Sequence, residues 1–133
     1  MCMIAVLDAS KETPNKLRWQ HDVEGIGFKF YVPKWRVPDP WPKRIIVSMS
    51  ELSAGPIAMH PPTRVGQPIS TIVEKRGEHT ETVKFTPLGD PEEWEIGEPY
   101  IPYRLLPSSA VRLLQIEVKW DRSSGEWPRF FQP

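Results

Sequence analysis

The sequence holds little that would cross-link the chain or mark it as an enzyme. Its single cysteine, Cys2, excludes an intrachain disulfide, and three histidines with that one cysteine form no metal site at a recognised spacing. No serine or cysteine nucleophile motif and no glycine-rich phosphate-binding motif is present. We therefore expect no cofactor, no metal and no catalytic residues, and binding is favoured over catalysis.

The chain also lacks an excess of charge and a long apolar run. Lys and Arg number 17 against 17 Asp and Glu, which argues against a general polyanion binder. No apolar stretch approaches the roughly 20 residues that span a bilayer. The apolar start of the chain is short and lacks the basic residues of a signal peptide. We expect no membrane partner and a cytoplasmic location, with which a lone cysteine agrees.

Alanine, the best helix former, occurs only five times, whereas proline occurs 16 times in 133 residues. A proline inside a helix removes a hydrogen-bond donor and costs about 3 kcal/mol, so long helices are disfavoured. The chain length predicts a single domain, residues 1–133. The longest proline-free windows are Asn15–Val32, Lys43–Gly55, Ile69–Thr86 and Ser108–Trp127.

Apolar and polar residues alternate within these windows, which is typical of antiparallel strands with one buried face. The sequence predicts a mainly β fold, an antiparallel sandwich or small barrel with long Pro-rich loops and at most one short helix; an α+β fold is the alternative. A hairpin turn is predicted at Arg76-Gly77-Glu78, and a second turn or a bulge at Gly25-Ile26-Gly27. The one candidate helix is Ser108–Leu114. The loops Pro33–Lys43, Gly55–Pro68 and Pro87–Pro107 carry tryptophan, tyrosine or isoleucine, so we expect them to pack on the body.

The segment 29–44 combines five basic residues with four aromatic ones and a single acid. Such a mixture serves nucleic acid, where rings stack on bases, but tryptophan, proline and long cationic stems also pack well as a loop that closes a barrel. The structural interpretation is favoured. If the segment binds a ligand, the candidate residues are Tyr31, Lys34, Trp35, Arg36, Trp41 and, from another loop, Arg104.

Two functional hypotheses follow. The first is a non-catalytic binding protein for a small apolar or amphipathic ligand, or for a protein partner, with contact area from the tryptophan and tyrosine side chains of the loops and orientation from Arg36 and Arg104. The alternative is a single-stranded nucleic-acid-binding module that uses segment 29–44. The aromatic side chains on which the first hypothesis depends are Trp35, Trp41, Trp94, Tyr100 and Tyr103.

Three further expectations concern aromatic residues. Trp35 directly follows a strand and is predicted to be buried, whereas Trp41, between two prolines, is predicted to be exposed. The tail aromatics Trp127, Phe130 and Phe131 are predicted to be mostly buried, since exposed rings would forgo about 1.5–3 kcal/mol each. The large aromatic content predicts a homodimer.

Overall fold

Eight antiparallel strands account for most of the computed structural model, which describes residues 2–52, 65–108 and 110–128. In the described part of the chain the remaining regular elements are three 3₁₀ turns, Lys34–Arg36, Pro91–Glu93 and Tyr103–Leu105, and no helix there is long and apolar enough to cross a membrane. The strands are β1 (Cys2–Glu12), β2 (Lys16–Val23), β3 (Ile26–Pro33), β4 (Pro42–Glu51), β5 (Ile69–Glu78), β6 (Thr82–Pro87), β7 (Tyr100–Pro102) and β8 (Leu113–Glu126).

The strands form one sheet in the order β3-β2-β1-β4-β8-β5-β6-β7, which curls until its two ends meet. The Gly97 amide donates to the Tyr31 carbonyl at 2.9 Å, just before β7 begins. Arg104, which lies seven residues after Gly97, pairs with Glu24, which lies seven residues before Tyr31. These two contacts place β7 antiparallel beside β3. The predicted mainly β class is confirmed, in the form of a nearly closed barrel.

The predicted alternation places the apolar side chains inside this barrel, as expected for a pleated strand with one wet face. Trp19, for example, is fully buried, while its neighbours Arg18 and Gln20 are not. Every strand except the short β7 contributes at least two such residues to one continuous core. The predicted inward residues found buried are Leu17, Trp19, Phe28, Phe30, Val32, Ile45, Val47, Met49, Val83, Phe85, Leu114, Ile116 and Val118.

The predicted hairpin of β5 and β6 forms, and the chain also turns between β2 and β3 as predicted, although at Glu24-Gly25, since Ile26 and Gly27 already belong to β3. Between β2 and β3, Glu24 and Gly25 have φ angles of 51° and 83°, the left-handed pair that a two-residue hairpin loop requires. Between β5 and β6, Arg76-Gly77-Glu78 was predicted as the turn, which is wrong. These residues belong to β5, where a bulge lies between Lys75 and Gly77, and the chain turns at 79–81 instead.

The predicted helix over Ser108–Leu114 is also wrong. Within the described residues of that window, Val111 is buried and β8 begins at Leu113, which pairs with Glu74 of β5. The Arg112 carbonyl accepts from the Lys75 amide at 2.8 Å, so the pairing extends before the strand itself. An isolated helix of two turns is marginal in water, and a long strand pairing offers the same backbone groups better partners.

Candidate binding cleft

The loop that follows β3 closes one end of the barrel with tryptophan rings. The Trp127 ring stands edge-on to Trp19 and to Trp41, with centroids 5.1 Å and 6.2 Å apart. The Trp127 amide donates to the Trp41 carbonyl, and the Trp19 indole donates to the Pro42 carbonyl. Trp41 is therefore half-buried in the packing, and the prediction that it is exposed is wrong. A half-buried Trp127 fits the predicted clamp, whereas Phe130 and Phe131 lie outside the described residues.

A buried ion pair joins this loop to residues 90–98 before β7, a segment with five carboxylates that we call the acidic loop. Arg36 is fully buried, and its Nε donates to Glu95 Oε1 at 2.7 Å. Its Nη2 donates to the Gln67 carbonyl at 2.9 Å, which adds a third segment to the junction. The Glu95 side chain is 8% exposed, so both charges are withdrawn from water. Arg36 thus serves the packing of the fold, and its buried guanidinium is not accessible to an external ligand.

Most of the basic charge of segment 29–44 is matched within the fold. Lys34 Nζ lies 2.7 Å from Glu12 Oε2 and 5.4 Å from the Trp41 ring centroid. Arg44 Nε lies 2.8 Å from Asp8 Oδ1, and that hydrogen bond and the Asp8 charge raise the pKa of Arg44 above its usual value. Since Arg36 is also paired, three of the five cations have an acidic partner.

The six candidate ligand residues are not brought together. Tyr31 lies near the closed end of the barrel, half-buried beside Gly97. Arg104 is paired with Glu24 at 3.1 Å. Glu24 lies seven residues before Tyr31, which corresponds to about 20 Å at the rise of a strand, so Arg104 lies far from Tyr31. Lys34, Arg36 and Trp41 serve the packing just described. Trp35 is the one of the six that lines the cleft described next.

Trp35 is 55% exposed, so the prediction that it is buried is wrong. The 3₁₀ turn Lys34–Arg36 rotates successive side chains by about a third of a turn, and the residue that points inward is Arg36. The Trp35 indole instead borders an open cleft of about 180 Å³, which Trp94 also lines. Pro33 and Pro91 add apolar surface to the same cleft.

Trp94 is held in place by the acidic loop. Its indole nitrogen donates to the Gly89 carbonyl at 3.3 Å, and its amide donates to the Pro91 carbonyl. Asp90 caps the turn Pro91–Glu93 by accepting from the Glu92 amide at 3.0 Å. On the β3 side, a Cβ added to Gly97 would lie 3.2 Å from the Tyr31 Cβ, so this close approach of the two chains favours glycine. The cleft is therefore built from ordered walls.

Three charged side chains line the cleft: Lys16, Glu92 and Glu98. Glu98 accepts from the Thr86 hydroxyl at 2.7 Å and lies 3.7 Å from Lys84 Nζ, so its charge is partly matched. Sequence analysis singled out Trp35 and Trp94 but missed Lys16, which lies 76 residues before Glu92 and carries no local signal for a shared cleft.

Among residues 2–52, 65–108 and 110–128, no group of three or more His, Cys, Asp or Glu side chains is placed to hold a metal ion. Comparison of the chain with protein-family models, with curated protein sequences and with solved structures finds no match. The geometry of the cleft is therefore the basis for the function argued next.

Proposed function

We propose that this chain is a non-catalytic binding protein that holds an amphipathic segment of a protein partner in the cleft between Trp35 and Trp94. The observation that carries the proposal is the 55% exposure of Trp35, a large apolar ring that the fold does not use. The other tryptophans with ring contacts, Trp19, Trp41, Trp120 and Trp127, pack on one another at the closed end of the barrel. Tryptophan is enriched among the residues that dominate binding energy at protein interfaces.

The size and shape of the cleft favour a protein segment over a small ligand. Pockets that enclose a drug-sized molecule measure about 300–1,000 Å³ and cover most of its surface. The cleft measures about 180 Å³ and opens to solvent, which is room for one or two side chains of a larger partner. Aromatic and proline walls offer rigid apolar area at low entropic cost. A small apolar ligand is the alternative occupant of the same cleft.

A peptide library displayed on phage tests this function. Peptides enriched on the purified protein should lose at least about ten-fold in affinity for Trp35→Ala, the cost of losing one interface anchor. Tyr103→Ala is the matched control, because Tyr103 is also a partly exposed aromatic residue, 38% accessible, after β7. Failure to enrich any peptide, or enrichment of peptides indifferent to Trp35→Ala, would contradict the proposal.

The nucleic-acid alternative has less support. Of the five cations in segment 29–44, Lys29 and Lys43 are the two for which the described part of the chain supplies no ion pair. Phosphate binding depends on unpaired Lys and Arg and weakens steeply with added salt. Titration of a fluorescent oligodeoxythymidine at low and high salt separates the two functions, because salt-sensitive micromolar binding would favour the alternative.

We further propose that the chain is a cytoplasmic homodimer. The dimer is supported by an apolar patch on the outer face of the barrel, where Val6 of β1 lies opposite Ile46 of β4 and Ile4 lies two residues along. Ile4 and Val6 are 62% and 44% exposed, and two copies of one patch can face each other across a two-fold axis. Sedimentation at micromolar concentration should show a dimer that Ile4→Lys dissociates.

The exposed thiol of Cys2 is compatible with a reducing compartment, which fractionation of expressing cells checks.

A further inference from the structure

The charges around the cleft distinguish one class of partner from the others. We infer that the Trp35–Trp94 cleft receives a Lys or Arg side chain of the partner segment, an inference that rests on the proposed binding function. The described structure brings together two tryptophan rings and a carboxylate that has no partner, Glu92. A cation placed over a tryptophan face is attracted by the negative face of the ring, and a nearby carboxylate adds to that attraction.

The acidic loop 90–98 has more negative charge than its own contacts use. Glu95 is paired with Arg36, and Glu98 is shared between Thr86 and Lys84. Glu92 and Glu93 are both exposed, and neither forms an ion pair within the described ranges of the chain. Asp90 uses one carboxylate oxygen to cap the turn, which leaves its charge in place. Glu92 therefore lines the cleft with no ion pair inside the described fold, and Asp90 and Glu93 are its neighbours along the loop.

One cation, Lys16, also lines the cleft. Its Nζ would lie 3.8 Å from a Cβ added to Gly97, which places the ammonium beside the end of the acidic loop, where that loop meets Tyr31 of β3. No carboxylate in the described residues lies within ion-pairing distance of this ammonium. The lining of the cleft thus contains one cation and two carboxylates, Glu92 and Glu98. A cationic side chain would be drawn to Glu92 and repelled by Lys16, whereas an acidic side chain would show the reverse preference.

Three blocked peptides of identical length provide the probe: Gly-Pro-Lys-Pro-Gly, the same peptide with norleucine at the centre, and the same peptide with glutamate there. Norleucine keeps most of the apolar stem of lysine and removes the charge. Binding is followed by the ¹H–¹⁵N signals of the tryptophan indoles, assigned with Trp35→Phe and Trp94→Phe. The lysine peptide should shift both indole signals and bind about three- to ten-fold more tightly than the norleucine peptide, the ratio expected for a cation–π contact with a neighbouring carboxylate.

Two charge-removing variants test the placement of the cation. Glu92→Gln should weaken binding of the lysine peptide, and Lys16→Gln should strengthen it, each by about two- to five-fold as exposed charge pairs usually contribute. Both effects should shrink as salt is added. Glu81→Gln is the control, because Glu81 is an exposed acid in the β5–β6 turn, whose carbonyl bonds to Tyr103 far from the cleft.

The outcomes separate this inference from the proposed function. Equal binding of the lysine and norleucine peptides at the two indoles would overturn the cationic specificity and leave the binding function standing. Tighter binding of the glutamate peptide, strengthened by Glu92→Gln and weakened by Lys16→Gln, would reverse the assigned charge of the partner. Absence of any shift at either indole with all three peptides at millimolar concentration would overturn the inference together with the use of this cleft.

Discussion

Substitution of Arg36 by methionine tests how the closed end of the barrel is held together. Methionine keeps the apolar stem but leaves the Glu95 carboxylate buried without its guanidinium, and removes the hydrogen bond to the Gln67 carbonyl. Breaking a buried ion pair in this way costs about 3–5 kcal/mol, because one charge stays desolvated and unpaired. Against a total stability of about 5–15 kcal/mol, the loss corresponds to a melting temperature lower by roughly 10–20 °C.

Urea unfolding followed by tryptophan fluorescence measures this loss, provided the slope m is the same for both proteins. Arg44→Met is the matched control: it makes the same chemical change at an ion pair whose side chains are 40% and 56% exposed. We expect no measurable loss there, since exposed pairs are screened by water. The double variant Arg36→Met/Glu95→Gln should be more stable than Arg36→Met alone, because no buried charge remains. Equal stabilities of Arg36→Met and Arg44→Met would refute the reasoning.

Two further predictions concern the tryptophan packing and a surface charge pair. Trp127→Ala should lower the free energy of unfolding in urea by about 2–3 kcal/mol, less than the ~3–5 kcal/mol typical of a fully buried ring. Trp35→Ala should change it by about 0.5 kcal/mol or less, because that ring is exposed. A larger loss for Trp35→Ala than for Trp127→Ala would contradict the assigned roles. Lys75→Met removes the hydrogen bond and the charge that lower the pKa of Glu78, so that pKa should rise in a carboxyl-carbon NMR titration. The pairing stabilises the fold above the unfolded pKa of Glu78 and is lost as the pH falls through its lowered folded pKa. An unchanged Glu78 titration in Lys75→Met would rule out this coupling.

The strands were predictable because their signal is local. Alternation of residues such as Phe28, Phe30 and Val32 with polar neighbours is readable from the sequence and survives in the barrel, since one face of each strand must be buried. The predicted turn at Arg76-Gly77-Glu78 failed for a related reason. Glycine serves a bulge as readily as a turn, and only pairing with β6 decides between them.

The site was less predictable because its geometry depends on distant residues. Hydrophobicity alone favours burial of Trp35 over its neighbour Arg36, and the structure has the opposite arrangement. Arg36 is buried only because Glu95, 59 residues later, neutralises it. The cleft itself requires Lys16 and Glu92 to meet across the closure of the barrel, a contact that no periodicity records.

The order of strands in the sheet has a consequence for synthesis of the protein on the ribosome. β1, β2 and β3 pair with their neighbours in sequence, as do β5, β6 and β7, so both groups can form from nearby residues soon after they emerge. β8 inserts between β4 and β5 and is made after all of them. Until Leu113–Glu126 leaves the exit tunnel, the edges of β4 and β5 have no partner on that side, and an uncovered strand edge is where nascent chains join one another. The growing chain is therefore most vulnerable to aggregation late in translation, and a pause before β8 would prolong that exposure.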